Sequence, residues 1–255
     1  MNKNDYVDTF NFRGKSYNAA MQSFPGARQL ELDAILDRLN LTKSASFCDA
    51  PAGGGYLSEG ILGRFGKDVA ITCIEPAIEF GSDIQVSANV INATIDNIPL
   101  PDASFDGLGS LAGLHHILNR APIFSEWRRL MKPGGIISVA DVQVGSPVGE
   151  FLNEYVDRYT PQGHDGYFIA RNELSDLLSG IGCEQVEESL VPVPWQFAKR
   201  EHVGSFCKQL FFLENISAEE VTEAVDAYLG ISRNDETGGW QMYWELCYAS
   251  GQMPH

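Results

Sequence analysis

The chain has 255 residues, 44% of them hydrophobic, which is enough for one large domain with a real core. Lysine and arginine total 18 against 34 aspartates and glutamates; the formal net charge of -16 repels a nucleic-acid backbone and favours small molecules or neutral partners. No apolar run approaches the ~18 residues that span a bilayer, and the opening Met-Asn-Lys-Asn-Asp-Tyr is polar, so no membrane span or signal peptide is expected and a cytoplasmic location is the default.

Taken in order, residues 1–27 form an aromatic-rich lead-in with a short helix around Ser16 to Ser23, stopped by Pro25-Gly26. Helical spacing of Leu30, Leu32, Ile35, Leu36 and Leu39 predicts a second helix over 27–39. The apolar run Ala45 to Cys48 reads as a strand that ends on Asp49 and breaks into Gly53-Gly54-Gly55 before a helix over 56–65. A second buried strand, 69–74, ends in Glu75-Pro76. A helix or loop (77–87), a third strand (89–95), a fourth (107–111) running into Leu114-His115-His116, a helix (122–131), the turn Lys132-Pro133-Gly134-Gly135 and a fifth strand (136–142) follow.

After Gln143 the rhythm breaks. An insertion at about 143–170 precedes a helix (172–179) and a sixth strand (183–193). A second insertion, at about 196–237, has helical stretches over 203–213 and 218–229. The last strand, 240–249, alternates Trp240, Met242, Trp244, Leu246 and Tyr248 with polar neighbours, as a half-buried strand requires. Alternation of strand and helix points to an α/β fold with a parallel sheet covered on both faces, where ligands collect at the carboxyl ends of strands. Five scattered cysteines (Cys48, Cys73, Cys183, Cys207, Cys247), without a Cys-x-x-Cys pair or a histidine at ligand spacing, argue against disulfides and against a metal site.

Five phrases carry a family resemblance: Asp49-x-x-x-Gly53-x-Gly55 after the first strand, Glu75 after the second, Leu100 to Asp106 (Leu-Pro-Asp-Ala-Ser-Phe-Asp), Leu114-His115-His116, and Lys132 to Gly135. In this order the chain resembles the class I S-adenosylmethionine-dependent methyltransferases, especially their small-molecule branch, well over Tyr17 to Val142 and elsewhere by the order of elements. The resemblance implies a Rossmann-like sheet of seven mostly parallel strands with the last antiparallel, an N-terminal lid over residues 1–40, and a methyltransferase domain over 41–255 whose two insertions form a helical cap.

It also implies S-adenosylmethionine as cofactor. Gly53 and Gly55 would admit its methionine part to the backbone at a helix start, Asp49 would meet the ammonium, and Glu75 would accept from the ribose hydroxyls. Ala50, Pro76 and Leu111 stand beside them at strand ends. Thr94 with Ile95 occupies the adenine position, where an acid is commoner and where Asp96 is a nearby substitute; Pro51 replaces a usual glycine. Tyr17 and Arg28 stand where relatives close over the methionine end. His115 or His116 could remove a proton from an acceptor, and His116 could instead touch the cofactor.

Blander readings stand beside these. Three glycines with Glu75 twenty residues beyond Gly55 approximate a dinucleotide fingerprint, but its third glycine falls on Ser58. Asp49 could be a helix cap, the histidines could pack, and Tyr167, Trp195 and Phe197 could be core instead of acceptor-pocket walls. The expected activity is in-line methyl transfer to a small, partly apolar acceptor, with room for a homodimer. The rival classes are other chemistry on the same cofactor and a binding or scaffold subunit.

Overall fold

The computed structural model describes residues 6–255; the polar opening, Met1 to Asp5, lies outside them. The first half runs α1 (Tyr6–Ser23), α2 (Gln29–Leu36), β1 (Ser46–Asp49), α3 (Tyr56–Phe65), β2 (Ala70–Ile74), α4 (Ile78–Gly81), β3 (Ala88–Ile91), β4 (Phe105–Leu111), a 3-10 turn (Leu114–His116), α5 (Ala121–Leu130) and β5 (Met131–Asp141). The second half holds α6 (Pro147–Glu150), a π-helical stretch (Phe151–Val156), α7 (Asp157–Tyr159), α8 (Glu173–Gly180), β6 (Glu184–Pro192), β7 (Trp195–Phe197), α9 (Arg200–Leu210), α10 (Ala218–Tyr228), β8 (Ile231–Arg233), β9 (Trp240–Met242) and β10 (Glu245–Gln252).

Seven strands form the main sheet in the order β3-β2-β1-β4-β5-β10-β6, and β7, β9 and β8 form a small second sheet. The strands from β1 to β5 pair in parallel, whereas β10 runs antiparallel to both β5 and β6. Because successive side chains leave a strand on opposite faces, Phe47 joins the core cluster with Leu57, Ile61 and Tyr248, while Cys48 joins the one with Leu108, Trp127 and Leu178. Ile123, Phe124, Trp127 and Leu130 are the buried stripe by which α5 covers the second face.

Several elements differ from the sequence expectation. The lead-in helix begins at Tyr6, ten residues before Ser16, and buries a set of which half is polar: Thr9, Arg13 and Asn18, with Phe10, Gly14 and Ala20. Strand β3 stops at Ile91, so Thr94 and Ile95 lie in the loop beyond it, and the 77–87 stretch is helical only over Ile78–Gly81. Lys132 to Gly135 is not a free turn: β5 runs through it, with Gly134 at φ +73 and a register shift opposite Asp106. Lys132 Nζ reaches Asp106 at 2.8 Å, and the Asp106 carboxylate takes the Ser46 backbone N–H at 2.8 Å, so two of the five family phrases are joints between strands. The final strand splits at residues 243 and 244. Its first part enters the small sheet, and from Glu245 to Gly251 every residue is buried, because β10 lies between two strands and beneath helices on both faces.

α2 packs on the sheet through Leu32, Ile35 and Leu36, with the Tyr248 hydroxyl donating to the Glu31 carbonyl at 3.0 Å. Within the N-terminal forty residues it is α1 that crosses the strand ends, resting on α4 and α9.

Candidate active site

The turn after β1 is built by polar contacts within it. Gly53 and Gly55 adopt positive φ (+54 and +88), conformations that glycine takes at little cost, and Gly55 caps α3. Asp49 is 1% exposed; its Oδ2 accepts from the Ser58 backbone N–H at 3.1 Å and the Ser58 hydroxyl at 2.7 Å, and burial pushes its carboxyl up to about 8. Asp49 therefore braces the first turn of α3 and lines the cavity above it. Ala50 is wholly buried, donating to the Gly109 carbonyl at 3.0 Å, and Pro51 follows it through a cis peptide bond.

Glu75, at the end of β2, is the meeting point of three segments. Its Oε1 accepts from the Ala77 N–H at 2.8 Å, and its Oε2 accepts from the Gly53 N–H at 2.7 Å and the Tyr6 hydroxyl at 3.0 Å. Burial nevertheless raises its carboxyl to about 7.

Three cavities lie in series along this edge of the sheet. One is lined by Tyr6, Pro76, Thr94, Ile95, Asp96 and Ile117. The second is lined by Tyr6, Tyr17, Arg28, Asp49, Gly53 and Leu111, among others. The third holds Arg13, Arg28, His115, His116, His164 and Trp195. Tyr6 belongs to the first two, while Tyr17, Arg28 and Ala112 belong to the last two. An adenine, a ribose resting on Glu75 and a methionine tail need a site of this graded kind. The Tyr56 hydroxyl, buried beside the second cavity and without a hydrogen-bond partner among the described residues, is a polar group such a ligand would satisfy.

The histidines sit past β4 on the 3-10 turn. His115 Nδ1 lies 2.7 Å from Asp141 Oδ1, and Asp141 Oδ2 accepts from the backbone N–H groups of Leu114 and His115 at 2.7 and 3.0 Å. Burial pushes the Asp141 carboxyl up, but His115, the Val142 N–H at 2.7 Å and Arg120 outweigh it, so Asp141 titrates below the ordinary carboxylate range. An ionised carboxylate can only accept, which places the proton of neutral His115 on Nδ1 and leaves Nε2 as a free base. Desolvation, then the neighbouring His115, His164 and Arg13, pull His116 well below its usual value; desolvation, His115 and Arg13 do the same to His164. The ring nitrogens of the three histidines lie within 4.8 Å of one another.

The structure thus brings together Tyr17, Arg28, Asp49, Gly53, Glu75, Pro76, Thr94, Ile95, Leu111, His115 and His116 along one edge. His116 lines the third cavity, with its ring edge-on to Tyr6 and Phe10, which line the second. Arg28 is not a free cation: Glu31, 0% exposed, pairs with it through both carboxylate oxygens, and Trp195 Nε1 donates to Glu31 at 2.7 Å. Trp195 and Phe197 are core, buried to 1% and 5% exposure, although Trp195 also faces the third cavity. Tyr6, Arg13, Glu31, Tyr56, Asp141 and His164 escaped the sequence reading. Asp141 had a visible signal, since like Asp49 and Glu75 it lies at the end of an apolar run.

Residues 48–139 match the family model of a methyltransferase domain. A ubiquinone biosynthesis O-methyltransferase of Xylella fastidiosa (strain M23) is 30% identical over 182 residues, spanning 66% of this chain and 72% of the relative. An S-adenosylmethionine-dependent methyltransferase of Thermotoga maritima superposes with a TM-score of 0.65 at 16% identity, over 97% of this chain and 99% of that one. Phosphoethanolamine N-methyltransferase 2 of Haemonchus contortus, solved with S-adenosylmethionine, gives 0.65 at 14% identity, over 100% of this chain and 61% of that one. The two structures speak for the fold, and the curated relative carries the family: the chain belongs to the class I S-adenosylmethionine-dependent methyltransferases and is a methyl-transferring enzyme.

Proposed function

We propose that this enzyme methylates a hydroxyl oxygen of a small-molecule acceptor held in the histidine-lined cavity. The observation that carries the reading is the His115–Asp141 pair: a buried carboxylate fixes the imidazole tautomer and leaves Nε2 free to take a proton. The name of the 30%-identical relative, an O-methyltransferase, supports oxygen as the accepting atom.

In this reading Glu75 holds the ribose hydroxyls, Thr94, Ile95 and Asp96 the adenine, and Asp49 with the Gly53 turn the methionine end. When bound, the cofactor supplies an electrophilic methyl group on a sulfonium. The chain does the remainder. His115 Nε2 would take the hydroxyl proton of an acceptor to which that methyl group is transferred. Alignment of donor and acceptor can itself supply ~7–11 kcal/mol of the barrier. Helix α1 is the lid, and the segments 143–170 and 196–237 are the cap that shapes the acceptor cavity. The Tyr6 hydroxyl has to leave Glu75 for the ribose to take its place.

The test is calorimetric titration with S-adenosylmethionine, S-adenosylhomocysteine and NAD, followed by product analysis with hydroxylated acceptors. Micromolar binding of both adenosyl ligands, none of NAD, and S-adenosylhomocysteine formed with an O-methyl product are expected. A rearranged or demethylated product would replace this reading with non-methylating chemistry. Failure of both adenosyl ligands to bind would remove the cofactor assignment altogether.

A further inference from the structure

The third cavity contains a group that nothing around it satisfies. Arg13, on the buried face of α1, is 5% exposed, and its Nε and Nη1 have no hydrogen-bond acceptor among the described residues. Arg28 and Arg120 are equally buried, at 4% and 5%, and both are matched: Arg28 by Glu31, and Arg120 by Glu173 and the carbonyls of Leu114 and Tyr167. The Arg13 guanidinium is left over the Phe10 ring, with Cζ 4.7 Å from the centroid. A cation–π contact offsets only part of what it costs to take a guanidinium out of water.

The surroundings specify what would complete it. Burial lowers Arg13 to about 10, which still leaves it protonated at neutral pH. His116 and His164 are held uncharged there, and Arg28, the other cation lining the cavity, is already paired with Glu31. The guanidinium of Arg13 is therefore the charge left to be matched, and it calls for an anion. A doubly charged phosphate would leave one charge uncompensated in the same low-dielectric space. The wall facing these groups is flat and apolar: Trp195 and Trp244 stack at 4.0 Å between centroids, with Phe211 against both.

From these features we infer that Arg13 anchors a carboxylate on the methyl acceptor, so that the substrates are flat, apolar monocarboxylic acids that also carry the hydroxyl to be methylated. The inference rests on the methyltransferase reading for the hydroxyl, but the carboxylate site stands on Arg13 alone. Substrate pairs at one end with the guanidinium, lies along the tryptophans, and turns its hydroxyl to His115. A neutral analogue of the same shape would leave Arg13 as unpaired as before, so discrimination between acid and amide follows directly.

The test is thermal unfolding of the full chain and of Arg13→Met, each alone, with benzoate, with benzamide and with S-adenosylhomocysteine. Without ligand Arg13→Met should melt higher than the parent, because an unpaired buried charge is replaced by an apolar side chain of similar length. Benzoate should raise the melting temperature of the parent more than benzamide does, and the difference should vanish in Arg13→Met. A lower melting temperature for the unliganded variant, equal shifts from benzoate and benzamide on the parent, or a benzoate preference that survives in Arg13→Met would each overturn the inference. S-adenosylhomocysteine should stabilise both proteins alike. Its failure on both would refute the cofactor reading and leave the benzoate comparison to decide Arg13 independently.

Discussion

Cofactor affinity should depend steeply on pH, and the dependence can be worked from the two buried acids. Burial raises Glu75 from 4.5 to about 7 and Asp49 from 3.8 to about 8, so near neutrality the free enzyme carries a proton on most Asp49 and on about half of Glu75. Ribose hydroxyls donating to Glu75 and an ammonium beside Asp49 both favour the ionised carboxylates. Binding therefore releases protons, and affinity rises as pH rises. If the ligand returns Glu75 to its ordinary value, the dissociation constant falls about tenfold between pH 6 and pH 8, and a full return of Asp49 adds about fiftyfold over the same range. Calorimetry of S-adenosylhomocysteine in buffers of contrasting ionisation enthalpy reads both the affinity and the number of protons released. Glu75→Gln keeps the shape and removes one titration, so its profile should lose the tenfold share while binding more weakly throughout. A flat or falling profile in the parent, or an undiminished slope in Glu75→Gln, would refute the assignment of these acids to the ligand.

Three further outcomes follow from the contacts. Tyr6→Phe removes a hydroxyl that competes for Glu75, and with a net hydrogen-bond value of about 1 kcal/mol it should tighten S-adenosylhomocysteine roughly fivefold; weaker binding in calorimetry would make Tyr6 a ligand-holding residue instead. Asp141→Asn, which can no longer fix the His115 tautomer, should lower kcat by about 10²–10⁴ with little change in cofactor affinity, and steady-state rates beside calorimetry will show whether the loss falls on turnover. Glu31→Ala strips a buried partner from Arg28 and a hydrogen bond from Trp195, and should cost about 3–5 kcal/mol in denaturant unfolding; a loss under about 1 kcal/mol would show that the pair does not hold α2 to the cap.

What could be read from the sequence and what could not divide along a physical line. Strands β1, β2 and β4 announce themselves because both sheet faces are covered, so their residues form apolar runs, and the glycine turn is visible because positive φ selects its residue type. Thr94 and Ile95 line a cavity at the strand ends although β3 stops at Ile91, three residues before them. Helix α1 was cut short for the opposite reason. Its inward face carries Thr9, Arg13 and Asn18, and a search for apolar periodicity takes polar residues at helical spacing for the solvent side. Residues 9 and 13, 10 and 14, and 14 and 18 each stand four apart, so the stripe exists; its polarity hid it. A polar stripe turned inward is expected where a helix covers a ligand site instead of a core. Here the stripe joins two sites. Tyr6 reaches Glu75 at one end and Arg13 lines the histidine-lined cavity about two turns later, on a single helix.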